Sequence, residues 1–135
     1  MGVVLNAFNV RSADGIQLFG YDSVVEEVHA FSNAGTTVQS AGIFVQDGTV
    51  ARCTAAVNAG SGIEAPAEVV ISFSSVSDNG LDGIDGGGVA SNDASFRNGR
   101  NGISGAGLAI NNFVYENLKV GITGGPGTGT WAMCC

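Results

Sequence analysis

Apolar residues along this chain fall in short runs rich in β-branched and aromatic types, and no run keeps helical spacing for even three turns. The segments "SVVEEVHAF", "TVARCTAAV", "VVISFSSV", "VASNDASF" and "INNFVY" read as strands, separated by turns rich in asparagine and glycine. The pair Gly-Ile recurs at Gly15-Ile16, Gly42-Ile43, Gly62-Ile63, Gly83-Ile84, Gly102-Ile103 and Gly121-Ile122, in steps of 27, 20, 21, 19 and 19 residues. Four residues before the glycine stands an asparagine in each of the last four copies: Asn58, Asn79, Asn98 and Asn117. Asn33 takes the same part in the second copy, displaced by the extra "GTTVQS", whereas the first copy departs from the pattern with Arg11.

A unit of about 20 residues with two or three short strands cannot bury its own apolar face, so the copies must stack at roughly 4.8 Å per layer. Stacking predicts an inward column of isoleucines and a ladder of asparagine amides, each bonded to the one above and below. The glycine before each isoleucine then serves either a positive-φ turn or a close approach between layers. The expected architecture is all-β, a single solenoid domain over 1–135 of about six coils, near 3–22, 23–48, 49–67, 68–87, 88–107 and 108–127, with a tail at 128–135.

"FRNGRNGISG" (Phe96–Gly105) and "VSDNGLDGIDG" (Val76–Gly86) carry the repeat best. The pattern resembles the generic repeats of right-handed parallel β-helix proteins of the pectate-lyase-like superfamily, over nearly the whole chain. The resemblance implies a single-stranded right-handed parallel β-helix. It implies little about function, because the matching residues are those that build coils.

Composition narrows the partners. Charged residues are only 13% of the chain, and a net charge of −7 with five basic residues cannot supply a phosphate-neutralising patch, so nucleic acid is excluded. No apolar run reaches membrane-spanning length, and "MGVVLNAFNV" lacks the basic, apolar and small-residue parts of a secretory signal. The chain reads as soluble and not visibly exported, which leaves a mature extracellular or virion-associated fragment open. Cys53, Cys134 and Cys135 make no even framework, and no disulfide scaffold is expected. Stacked sheets leave open edges, which predicts either a homo-oligomer, stacking on further β-helix chains, or capping by "WAMCC" with Trp131 over the last layer.

Fixing the register lets residues about a score apart be read as columns. Val57, Asp78, Arg97 and Glu116 form one, in which alternating charges predict a surface ion stack. The position after the isoleucine reads Gln17, Phe44, Glu64, Asp85, Ser104 and Thr123 and should face outward. It makes Glu64 and Asp85 adjacent carboxylates with no base in their column, and Asp82 stands nearby. Three accounts of this arrangement stay open. Glu64, Asp85 and Asp82 are candidate calcium ligands. Glu64 and Asp85 are also a candidate carboxylate pair for glycoside hydrolysis. The simplest account is two side chains splayed into water.

"LDGID" slightly resembles a segment of the polygalacturonases, but the chain has no paired Asp-Asp, His-Gly or Arg-x-Lys. Proton abstraction by a lyase would fall to Arg52 or Arg97. "DGIDGGG" and "TGGPGTGT" show neither a nine-residue calcium repeat nor a phosphate loop, and read as turns. His29 alone cannot complete a zinc or copper site and is expected on a strand surface near Glu26 or Glu27. Cys53 is expected to pack as a small apolar residue.

The residues between Asn33 and Gly42 are expected to project as a loop overhanging a strand face. Phe44 between Gln17 and Glu64 would give a sugar ring an apolar platform with polar partners, with Phe19 and Tyr21 at the same aromatic end. Two functions follow: a non-catalytic structural or binding module that presents a rigid face to a glycan or protein partner, with Phe44, Glu64, Asp85 and Gln17 as binding residues, or a carbohydrate-active hydrolase or lyase using Glu64 and Asp85, with or without calcium.

Overall fold

The structure, a computed structural model, describes residues 6–8, 14–33, 41–66, 68–128 and 131–133. After β1 (Asn6–Phe8) the strands come in threes: β2 (Ile16–Leu18), β3 (Ser23–Glu26) and β4 (His29–Phe31), then β5 (Ile43–Val45), β6 (Gly48–Ala51) and β7 (Thr54–Ala56). The pattern continues through β8 (Ile63–Ala65), β9 (Val70–Ser72) and β10 (Ser75–Ser77), and β11 (Ile84–Gly86), β12 (Val89–Ser91) and β13 (Ala94–Phe96). It ends with β14 (Ile103–Ala106), β15 (Leu108–Ile110) and β16 (Phe113–Tyr115), followed by β17 (Ile122–Gly124), β18 (Gly127–Thr128) and β19 (Trp131–Met133).

Each strand pairs in parallel with the strand three places on, so the chain winds as an all-β solenoid with three faces. Sheet A stacks seven strands from β1 to β19, sheet B six from β2 to β17, and sheet C six from β3 to β18. No helix occurs among the described residues. The six isoleucines are register partners in one column of sheet B, as the repeat requires. Val25, Val50, Ile71, Ala90 and Ala109 form the inner column of sheet C, and Ala30, Ala55, Val76, Ser95 and Val114 that of sheet A. Ile43, Ile63, Ile84 and Ile103 are fully buried, each contributing about 1.5–3 kcal/mol.

The segments expected as single strands each break into two, because one residue in each turns through the left-handed region. Glu27, Arg52, Phe73, Asn92 and Asn111 have φ of 52–57°. A second set of corners follows sheet A, at Ser32, Val57, Asp78, Arg97 and Glu116, with φ of 52–57°. This conformation costs of order 1 kcal/mol or more outside glycine, and a β-branched residue such as Val57 adopts it rarely. A polar side chain turned into the tube follows every corner of the second set and the Phe73, Asn92 and Asn111 corners of the first, while Val28 and Cys53 follow the other two.

After the second set stand the ladder asparagines. Asn33 Nδ2 donates to Asn58 Oδ1 at 2.9 Å, Asn58 to Asn79 at 2.9 Å, Asn79 to Asn98 at 3.0 Å and Asn98 to Asn117 at 2.8 Å. Each acceptor oxygen also takes the backbone N–H of the preceding asparagine, at 3.0–3.2 Å. The second Nδ2 hydrogen of Asn58, Asn79 and Asn98 goes to the carbonyls of Ala30, Ala55 and Val76. Two donors and two acceptor sites are thus used on each inner rung, which is what a buried amide needs. The glycine before each isoleucine is needed for close approach rather than for positive φ: a Cβ on Gly42 would lie 2.8 Å from the Gly62 carbonyl, and one on Gly83 would lie 2.6 Å from that of Gly102.

After the first set of corners runs a second inward column, five residues before the asparagines: Val28, Cys53, Ser74, Asp93 and Asn112, all buried. Here Ser74 Oγ accepts from Cys53 N, Asp93 Oδ1 from Ser74 N at 2.8 Å, and Asn112 Oδ1 from Asp93 N at 2.9 Å. Cys53 is buried as expected, with its thiol close to the carbonyls of Ala51 and Val25. Burial pushes its pKa up.

At the C-terminal end, the stretch expected as a tail contributes β19, whose backbone extends sheet A with Trp131 opposite Phe113. Arg11, the loop at 34–40, Cys134 and Cys135 lie outside the described residues.

Candidate functional site

The outer face of sheet B carries the column Gln17, Phe44, Glu64, Asp85, Ser104 and Thr123, each beside the next in strand register. Alternation sets this: the isoleucine before each residue points into the tube, so the residue itself points out. Phe44 meets Phe19 with ring centroids 5.4 Å apart and planes tilted by 50°. Thr123 and Ser104 share a hydroxyl hydrogen bond of 3.3 Å. Phe44, Glu64 and Asp85 are brought together as expected around a concavity of about 210 Å³, completed by Ala65, Pro66 and Gly86. Gln17 stands exposed one rung beyond Phe44.

Both carboxyls are half-buried and less acidic than usual. Burial raises Glu64 first, with Asp85 and Asp14 adding negative charge. Asp85 is raised by burial and then by Asp82, against the opposing pull of the Arg100 guanidinium. Asp82 is placed differently from the other two. Its Oδ1 accepts the Asn101 backbone N–H at 2.9 Å, and its Oδ2 lies 3.6 Å from Arg100 Nη1. It is buried and serves the third corner of the tube, where Asp14 Oδ1 likewise accepts the Ala41 N–H at 2.7 Å and Asn101 Oδ1 that of Val120. Among the described residues, no group of three His, Cys, Asp or Glu side chains could hold a metal ion.

Three features of this face were not read from the sequence. Arg100 approaches Asp82 because Leu81, Arg100 and Lys119 are vertical neighbours, a column visible once the rungs are aligned. Pro66 forms one wall of the concavity and also lines a neighbouring one of about 330 Å³ with Tyr21, Gln46, Asp47 and Glu68. Asp14 reaches the same electrostatic neighbourhood from the first coil.

Elsewhere the charged columns resolve into pairs. Arg97 Nε and Nη2 each lie 2.8 Å from a carboxylate oxygen of Asp78, which lowers the Asp78 pKa, while Glu116 acts on Arg97 through charge alone. Arg97 also lies 4.8 Å from the centroid of Phe96, itself stacked on Tyr115 at 4.9 Å. Glu26 and Glu27 pair with Arg52 rather than with His29, which is exposed on sheet A. Arg52 is therefore occupied by two carboxylates and lies on a different face from Glu64 and Asp85.

No family model, curated protein or solved structure matches the chain.

Proposed function

We propose that this protein is a non-catalytic β-solenoid module that binds a glycan on the outer face of sheet B, with coils of the pectate-lyase-like kind. The observation that carries the reading is the vertical sequence Gln17, Phe44, Glu64, Asp85, which sets an aromatic ring beside two carboxyls over a concavity. A sugar ring would lie against Phe44 and donate hydroxyl hydrogens to Glu64 and Asp85. Gln17 would serve an adjoining sugar, and Pro66 and Tyr21 would extend the apolar surface. The face needs no covalent step for this task.

A second reading, glycoside hydrolysis, draws on one observation: both carboxyls hold protons more tightly than usual, and a general acid needs that. Their place on neighbouring strands, about 4.8 Å apart, suits the short carboxyl separation of a retaining mechanism. Calorimetry of the full chain against neutral and charged oligosaccharides, repeated with Phe44→Ala, separates the readings. The binding module predicts saturable heat that disappears in the variant, with no new reducing ends. New reducing ends lost in Glu64→Gln would replace it with the hydrolase. No binding of any oligosaccharide would overturn both.

A further inference from the structure

Asp93 differs from every other acid in the protein. It lies in the corner column between Ser74 and Asn112, and it is 1% exposed. Its Oδ1 accepts the Ser74 N–H at 2.8 Å, but its Oδ2 is buried with no hydrogen-bond partner among the described residues. The next rung shows what this second atom faces. Asn112 fills the same corner one turn later, and its Nδ2 donates to the Ala90 carbonyl at 2.9 Å. The register partner of Ala90 in the turn below is Ile71, so the carbonyl that corresponds, on the Asp93 rung, to the acceptor of Asn112 Nδ2 is that of Ile71. Two facing acceptors without a proton between them repel.

We propose that Asp93 is a built-in acid latch: its carboxyl keeps its proton in the folded protein and donates it from Oδ2 to the Ile71 carbonyl, so the rung is closed in acid and strained open when the proton leaves. In this form Asp93 reproduces the asparagine of the next rung, one donor and one acceptor on the same side chain. Among the described residues no ion pair relieves its charge. The groups that act on its carboxyl are the backbone N–H groups of Ser74 and Ser91, while Asn112 Oδ1 takes the backbone N–H of Asp93, and no charged side chain contributes to its altered acidity. Burial outweighs the two N–H groups and raises its pKa from 3.8 to about 7.

The direction of the pH effect follows. The unfolded chain ionises first, near 3.8, while the folded chain holds its proton to about 7, so the contribution to stability is complete below the lower value and lost as pH rises through the upper. Over that window the folding equilibrium constant falls roughly a thousandfold on account of this one group.

The test is urea unfolding of the full chain from about pH 4 to about pH 9, wild type beside Asp93→Asn, with a carbon-13 titration of the Asp93 carboxyl in the native wild type. Asp14, Glu64 and Asp85 also titrate, but they are common to both proteins and cancel in the ratio. The expected result is a ratio of variant to wild-type folding constants that grows by about three powers of ten with pH, together with a carboxyl that titrates near neutrality. A ratio that does not change with pH, or a carboxyl that ionises in the ordinary range, overturns the proposal. If Asp93→Asn fails to fold, the native carboxyl titration alone decides, one way or the other.

Discussion

The two corner columns flanking sheet A share a left-handed backbone turn and an inward side chain, yet they are filled in different ways. One is asparagine at five successive rungs, and every inner amide both gives and receives. The other drifts through valine, cysteine, serine, aspartic acid and asparagine, and its bonds run mainly from backbone N–H to side chain. The comparison teaches that the turn needs an acceptor on the next rung more than it needs a particular residue. Only a side chain with both a donor and an acceptor makes the column self-propagating, as expected of buried polar networks. The mixed column is where the fold can carry a titrating group, because there the amide's role can be taken by a protonated acid.

Breaking the regular column should cost most. Asn79→Ala removes the acceptor for Asn58 N and Nδ2 and the donor to Asn98 and Ala55, leaving several polar atoms buried without partners. A loss of about 3–5 kcal/mol is expected in urea unfolding. Ser74→Ala in the mixed column strips the acceptor of Cys53 N and one donor to the Ser72 carbonyl, and about 1–2 kcal/mol is expected from the same measurement. Equal losses at the two sites would erase the distinction between the columns.

A smaller effect is expected on the sheet B face, whose outer column points away from the tube. Glu64→Gln with Asp85→Asn removes two carboxyls raised by burial and then by neighbouring acids, Asp85 acting on Glu64 and Asp82 on Asp85. Because raised acids cost stability once the pH exceeds their ordinary range, the double variant should be more stable near neutrality. The gain is of order 0.5 kcal/mol, as both groups keep much solvent. It should vanish in acid, which a pair of melting curves would show. Lower stability at neutral pH would mean that the carboxylates are held by a favourable contact. The least effect belongs to Arg97→Ala, whose pairing with Asp78 lies in solvent. Its difference from wild type should shrink in high salt, when the two proteins are unfolded side by side.

The rung spacing was legible in the sequence because two residue types recur for backbone reasons: asparagine, which can satisfy a neighbour above and below, and glycine, which lets a carbonyl approach. The outward column from Gln17 to Thr123 followed from alternation alone. The break within each long strand was not legible, because the residues that make it, from Glu27 to Asn111, share a backbone angle and no chemistry. The mixed column was hidden for the same reason, although a constant offset of five residues before each asparagine marks it. The corner role of Asp82 was not legible, because a carboxylate that accepts a backbone N–H at a corner looks, in sequence, like any other acid beside glycine. The likeness of "FRNGRNGISG" to other β-helix repeats reported the coil and nothing of a ligand, since it rests on Asn98, Gly102 and Ile103, which build the tube and its corners.

The stacked solenoid requires asparagines roughly a score of residues apart to be bonded to one another. Nuclear Overhauser contacts and exchange rates of the asparagine side-chain amides test this directly. The prediction is contacts linking Asn58 to Asn79, Asn79 to Asn98 and Asn98 to Asn117, with Nδ2 hydrogens that exchange far more slowly than those of exposed Asn92 and Asn111. Amides that exchange at solvent rates and show no contact across rungs would contradict the stacked solenoid and every column read from it.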